Sequence, residues 1–271
     1  MILDCHIHIS DRHIDHEVFV ENLKKAGIDG GVVLSLSPQR SRKGEEPCSN
    51  QDRLNEMMAL TQSYPNLYPF YWLDPTEADA IEQVDEAVKA GVAGFKVICN
   101  HFYPGDPVAL RVFRRIAKAG LPILFHSGIL WDEGFSSKYN RPGEFEALLE
   151  VEGLRFALAH ISWPWCDECL AVYGKLQNSR RRREYGIEMF IDITPGTPPI
   201  YREEALYKLL HVGYDLENNI LFGTDNLVNR YDPSYTRKIM DLDNGIYDKF
   251  SIGPELRNKI YSENLLRFLN K

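Results

Sequence analysis

The chain has 271 residues, 44% of them hydrophobic, and its 31 basic and 39 acidic side chains leave a formal charge of −8 at pH 7. That balance offers no basic footprint, so neither nucleic acid nor an anionic membrane surface is expected as a partner; a small-molecule substrate is. So many apolar residues bury a sizeable core unaided, and five cysteines fit a reducing compartment better than a disulfide framework.

Met1-Ile2-Leu3 runs directly into Asp4-Cys5-His6 with no charged-then-apolar leader, and no apolar run reaches the length of a membrane span, so a cytoplasmic protein is expected. Eight short apolar runs then follow in order: Ile2 to His8, Gly31 to Leu36, Leu67 to Leu73, Ala93 to Ile98, Leu121 to His126, Leu154 to His160, Ile187 to Ile191, and Ile220 to Asp225. Between them lie helix-length stretches such as Asn50 to Tyr64, Thr76 to Ala90, Pro107 to Ala119 and Glu203 to Val212. Several stop at glycine, as in Ala26-Gly27, Ala90-Gly91 and Ala119-Gly120, where a left-handed residue ends a helix. Near-continuous apolar runs alternating with helices predict parallel strands covered on both faces. An open doubly wound sheet would carry a glycine-rich phosphate turn after its first strand, and Asp4-Cys5-His6-Ile7-His8-Ile9-Ser10 has none. The expected fold is therefore an α/β, (β/α)8 TIM barrel, with residues 1-271 as one domain. Two long connections, Ser35 to Asn50 and Ser127 to Arg141, leave the C-terminal ends of strands and read as active-site loops. Arg180 to Arg183 reads as a solvated helix face. Cys166 and Cys169 form a CxxC at a helix start without a second pair, and read as neighbouring thiols.

Ionisable side chains gather where these runs end. His6 and His8, two apart on a strand, point to one side and can converge on one ion. His126, His160 and Asp225 end the fifth, sixth and eighth runs, and Lys96 lies in the fourth. The C-terminal face of a barrel is where catalysis is expected, and imidazoles with a carboxylate suit zinc, with manganese, iron or nickel also compatible. Three or four such ligands leave an open position for water, whose pKa falls from about 15.7 towards 7 on a metal.

In this arrangement the sequence resembles the amidohydrolase superfamily, in particular its amidohydrolase-related (amidohydrolase 2) branch. Asp4-Cys5-His6-Ile7-His8 has the DxHxH form, Leu124-Phe125-His126-Ser127-Gly128 and Leu158-Ala159-His160 are similar to the fifth- and sixth-strand histidine motifs, and Gly223-Thr224-Asp225 to the eighth-strand motif. Asn50 to Met58, Trp72-Leu73-Asp74-Pro75, Gly91 to Lys96 and Tyr261 to Arg267 extend the likeness along the chain. The resemblance implies metal ligation by His6, His8, His126 and Asp225. His160 would either ligate too or hold the attacking water and shuttle its proton, and Asp225 would act as base. It also implies one ion, or two if Lys96 is carboxylated, and homo-oligomerisation. The fourth strand departs from the branch, because Val97-Ile98-Cys99-Asn100-His101 delays its histidine. His101 is thus expected at the pocket rim. Trp163, in Ser162-Trp163-Pro164-Trp165, is a candidate floor for an aromatic or sugar-like substrate.

Hydrolysis of a small ester, lactone or amide is the leading expectation. Non-oxidative decarboxylation of an unsaturated or aromatic acid is the alternative, with Arg40, Arg42 or Arg53 as the carboxylate clamp. A ligand-binding barrel without chemistry is the third reading, and five polar groups at one mouth speak against it.

Overall fold

The computed structural model describes residues 1–12, 14–39 and 47–271. Among these residues nine parallel strands form one sheet: β1 (Leu3–His8), β2 (Gly30–Leu34), β3 (Leu67–Trp72), β4 (Gly94–Val97), β5 (Ile123–Phe125), β6 (Arg155–Leu158), β7 (Glu188–Asp192), β8 (Ile220–Leu221) and β9 (Asn226–Leu227). Their order is β8-β7-β6-β5-β4-β3-β2-β1-β9, so each strand neighbours its successor and β1 meets the end of the chain's strand series. The eighth apolar run, Ile220 to Asp225, forms β8 and then leaves regular pairing at Phe222 to Asp225, and β9 follows just beyond it. Across that interruption Cys5 N donates to Phe222 O at 2.9 Å and Asp225 N to His6 O at 3.0 Å, which closes the TIM barrel.

The helices are α1 (His16–Ala26), α2 (Asn50–Gln62), α3 (Ala80–Ala90), α4 (Pro107–Lys118), α5 (Cys166–Asn178), α6 (Arg180–Tyr185), α7 (Pro199–His211), α8 (Pro233–Lys249), α9 (Pro254–Asn258) and α10 (Asn264–Leu269). Gly27 and Gly91 end α1 and α3 in the left-handed conformation that their sequence positions predict. The β5–β6 crossover departs from expectation, because its helix is a nine-residue 3-10 run, Pro142–Glu150. A 3-10 helix rises about 2.0 Å per residue against 1.5 Å for an α-helix, so a short segment covers more of the barrel wall.

Two apolar layers result. One fills the space between strands and helices, with Val33, Tyr71, Phe95, Phe125, Phe156 and Ile191 facing outward from the sheet. The other lies inside the barrel and comprises Leu3, Cys5, Val32, Leu34, Phe70, Leu124, Ala157, Phe190 and Leu221, with Leu265, Phe268 and Leu269 of α10 joining it. Phe268 packs on Phe190 and Phe70 at centroid distances of 4.9 and 6.2 Å, so α10 plugs one end of the barrel. Gly94 makes room for this layer, since a Cβ there would stand 2.4 Å from the Phe70 ring. Among the described residues no helix is long and apolar enough to cross a membrane.

Candidate metal centre

Alternation along each strand places the chemistry. Residues two beyond the inner apolar layer face the same interior at its open end: Lys96 follows Gly94, His126 follows Leu124, and Asp192 follows Phe190. β1 needs a further device. Leu3 and Cys5 face the barrel interior, and strict alternation would then turn His6 and His8 outward. The pairing of β1 with β2 shifts register between Asp4 and Ile7, which sends Ile7 to the outer layer and both imidazoles inward. Asp4 fixes this bend: its Oδ1 accepts from His6 N and Thr224 N, each at 3.0 Å, and its Oδ2 from Thr224 Oγ1. His160 and Asp225 sit beyond their strands in left-handed backbone, at φ 63° and 60°. Non-glycine residues held there are strained and cluster at functional sites. Gly196 packs directly on His160, because a Cβ at that position would lie 2.7 Å from the His160 Cβ.

The donors converge. His6 Nε2 lies 3.1 Å from His8 Nε2, 3.2 Å from Lys96 Nζ and 3.7 Å from Asp225 Oδ1, and His8 Nε2 lies 3.3 Å from Asp225 Oδ1. One ligand atom each from His6, His8 and Asp225 falls within 4.8 Å of the others. On its far side His6 Nδ1 donates to Asp192 Oδ2 at 2.8 Å, which leaves the Nε2 lone pair directed at the cluster. Asp192 Oδ1 is held in turn by Thr194 N at 2.6 Å and by the Thr194 hydroxyl.

His126 and His160 line the same cavity without joining the three-donor cluster. Their rings lie 5.0 Å apart, and that of His160 lies 5.3 Å from His6. His126 Nε2 donates to Ile129 O at 3.1 Å, whereas His160 Nδ1 is buried without a partner among the described residues. The cavity, of about 340 Å³, is further lined by Ile98, Leu130, Trp131, Trp163 and Gly196.

Burial dominates the electrostatics. It lowers the pKa of His6 to about 3, with help from the Lys96 charge, lowers His8, and holds His126 well below the usual histidine range. Burial also lowers Lys96 to about 8. For Asp225 burial acts upward, but the bond from His8 and the neighbouring imidazoles win and hold the carboxyl well below its ordinary value. Asp192 behaves alike, at about 2 against its burial, through its bond to His6. Neutral His6 and His8 beside an ionised Asp225 are the protonation states that a divalent metal requires, so the donor set fits one.

Other expectations from the sequence fare differently. Arg53 is fully buried, and its guanidinium donates to Leu36 O, Trp72 O, Asn50 Oδ1 and Tyr71 OH at 2.6 to 2.9 Å. A guanidinium so engaged ties strand ends to α2, and this corrects its assignment to substrate. His101 also turns aside: its Nε2 lies 2.9 Å from Thr76 Oγ1 and 3.5 Å from Asp74 Oδ2, and it is absent from the cavity lining described above. Trp163 does line the cavity. Arg40 and Arg42 fall outside the described residues. Cys166 and Cys169 are free thiols, which burial pushes up to about 11 and 12. Asp192 was missed because the seventh run was read as ending at Ile191; the signal was there, since Asp192 shares the parity of Phe190.

Comparison with known proteins agrees with this fold. The fold is shared with a probable 2-pyrone-4,6-dicarboxylic acid hydrolase from Acinetobacter baumannii with citric acid bound, at 14% identity and TM-score 0.62 over 100% of this chain and 99% of the other. It is shared with 2,6-dihydroxybenzoate decarboxylase from Rhizobium, at 14% identity and TM-score 0.66 over 99% and 98%. An amidohydrolase from Burkholderia multivorans with bound zinc matches at 12% identity and TM-score 0.68 over 100% and 99%. No curated protein matches the sequence. The profile of the Amidohydrolase family matches residues 3–271, nearly the whole length of a barrel whose open end gathers histidines and an aspartate, and the chain belongs to that family of enzymes.

Proposed function

We propose that the protein is a metal-dependent hydrolase of a small-molecule ester, lactone or amide, with the ion held by His6, His8 and Asp225 and with His126 and His160 completing its surroundings. The observation that carries this reading is the convergence of His6 Nε2, His8 Nε2 and Asp225 Oδ1 at one side of a single cavity. Zinc is our choice of ion, supported by the imidazole and carboxylate donors and by the zinc in the Burkholderia relative; manganese is the alternative. When bound, such an ion polarises a carbonyl and makes water more acidic.

The chain's own residues do the rest. Asp225, with its side chain 38% exposed to the cavity, accepts the proton of the attacking water through the oxygen not engaged by His8. His160, whose buried Nδ1 is uncommitted, relays a proton to the leaving group. Lys96, brought to about 8 by burial, stands beside His6 and steadies negative charge as it develops. A neutral amine at this place is also the form that takes up carbon dioxide, so two ions bridged by carboxylated Lys96 are the alternative to one. Ile98, Leu130 and Trp131 supply apolar surface beside the donors, which suits a small organic substrate.

Decarboxylation of an unsaturated or aromatic acid is the second reading. It is favoured by the ammonium of Lys96 in the cavity lining and by the likeness to the Rhizobium decarboxylase. Metal content and turnover separate the cases. Purified protein is expected to hold one transition metal per chain and to open lactones or esters, with both properties lost in His6→Ala/His8→Ala. Carbon dioxide release from aromatic acids without ester cleavage would install the second reading, and full activity in that variant would remove both.

A further inference from the structure

A second cavity, of about 600 Å³, opens between α5 and α7 and abuts the metal cavity. Trp163 lines both, and the loop leading into α7 gives Gly196 to the metal side and Thr197 to the other. The chemistry proposed above leaves this space unused. Its aromatic surface is formed by Trp163 and Tyr201, with ring centroids 6.4 Å apart and planes 28° from parallel. Trp165, further along the lining, already carries the Arg141 guanidinium 5.6 Å from its ring centroid. Thr197 is only 6% exposed, and its Oγ1 has no hydrogen-bond partner among the described residues. A buried hydroxyl of that kind, in a cavity lining, is a place for a ligand's donor or acceptor.

The charges restrict what enters. Three carboxylates and one ammonium line the cavity. Lys208 Nζ is spent between Asp167, at 3.0 Å, and Glu204, at 2.8 Å, and Glu168 is occupied by Arg141 Nε at 2.8 Å. The balance repels an anion and tolerates a neutral or cationic group.

We propose that this cavity is a second compartment of the same active site, which takes a flat, uncharged or cationic aromatic group carried by the substrate beyond the bond that is cleaved. The ring lies on Trp163 and Tyr201, a polar substituent reaches Thr197 Oγ1, and a second carboxylate is turned away. The inference rests on the hydrolase reading for what the compartment serves, but its occupancy is measurable without turnover.

The test is calorimetric binding of 2-naphthol and 2-naphthalenesulfonate to the zinc-loaded protein and to its Tyr201→Ala and Thr197→Val variants. Tyr201 is half exposed and valine is isosteric with threonine, so both variants are expected to keep the wild-type melting temperature. The expected result is that 2-naphthol binds at least tenfold more tightly than the sulfonate, and that its Kd rises about tenfold in Tyr201→Ala and about threefold in Thr197→Val. Equal affinity in all three proteins, no binding of 2-naphthol, or a sulfonate that binds as well as the naphthol overturns the compartment. Naphthol binding at this place in a protein that cleaves no ester, lactone or amide keeps the compartment and removes the hydrolase reading. Metal-dependent cleavage without such binding does the reverse.

Discussion

A neutral imidazole presents one nitrogen lone pair, and the hydrogen bond made by its other nitrogen decides which. At His6 that bond goes to Asp192, so removing the acceptor charge frees the ring to turn or to change tautomer. Asp192→Asn is expected to keep the fold and weaken zinc binding about 10- to 100-fold, as read by metal retained after dialysis against a graded chelator. Unchanged retention would show that His6 needs no such hold. The thiols offer a separate check on burial. Cys5, Cys48, Cys99 and Cys169 are buried, and the half-buried Cys166 is pushed up to about 11. The reactive thiolate therefore forms only as pH rises toward that value, and labelling of Cys166 in the folded protein is expected to quicken nearly tenfold per unit between pH 7 and 9. Rapid labelling at pH 7 would contradict its buried setting. At this scale the sequence was legible for His6, His8, Lys96 and Asp225, because strand ends show in the pattern. It was illegible for Arg53, because a loop-side arginine reads the same whether its guanidinium meets a ligand or backbone carbonyls.

Helices α7 and α8 are joined by one buried ion pair. Arg202 Nε and one terminal nitrogen donate to the two oxygens of Asp243 at 2.9 and 2.7 Å, and another of its nitrogens reaches Ile193 O just past β7. Neither side chain is more than 3% exposed. Deleting one partner strands the other charge, so Arg202→Leu is expected to cost about 3–5 kcal/mol in urea unfolding. The double variant Arg202→Leu/Asp243→Leu should recover most of that loss, and additive losses would mean the pair is not coupled. The sequence showed no sign of this pair, since residues 41 apart on two polar helices leave no periodic trace. The strands were more legible: all eight apolar runs are found, because burial on both faces writes itself as continuous hydrophobicity. What the pattern concealed was irregularity, namely the shift in β1 and the break between β8 and β9. Each departs from regular pairing at a place where a side chain is aimed at the cavity.

Across the whole molecule, the candidate metal cluster draws on both ends of the strand series. His6 and His8 come from β1, and Asp225 stands between β8 and β9, where the barrel closes. An ion held there binds the folded seam and has no equivalent site in the unfolded chain. At 100 times its Kd it would add about 2.7 kcal/mol, a rise of roughly 5–10 °C in Tm for a chain of this size. Scanning calorimetry with and without zinc checks this, and an equal rise in His6→Ala/His8→Ala would place the ion elsewhere. We further propose that residues 1-271 unfold as one unit, in a single calorimetric transition.

The plug of the barrel carries a consequence for how the chain is made. Leu265, Phe268 and Leu269 belong to the interior layer, yet they follow every strand in the order of synthesis. A ribosome that has delivered all the strands still holds the residues that seal them, so the nascent barrel waits with Phe70 and Phe190 open to water. Compaction of this interior falls after α10 leaves the exit tunnel. Until then the unsealed interior is a surface that a chaperone can grip and a neighbouring nascent chain can stick to.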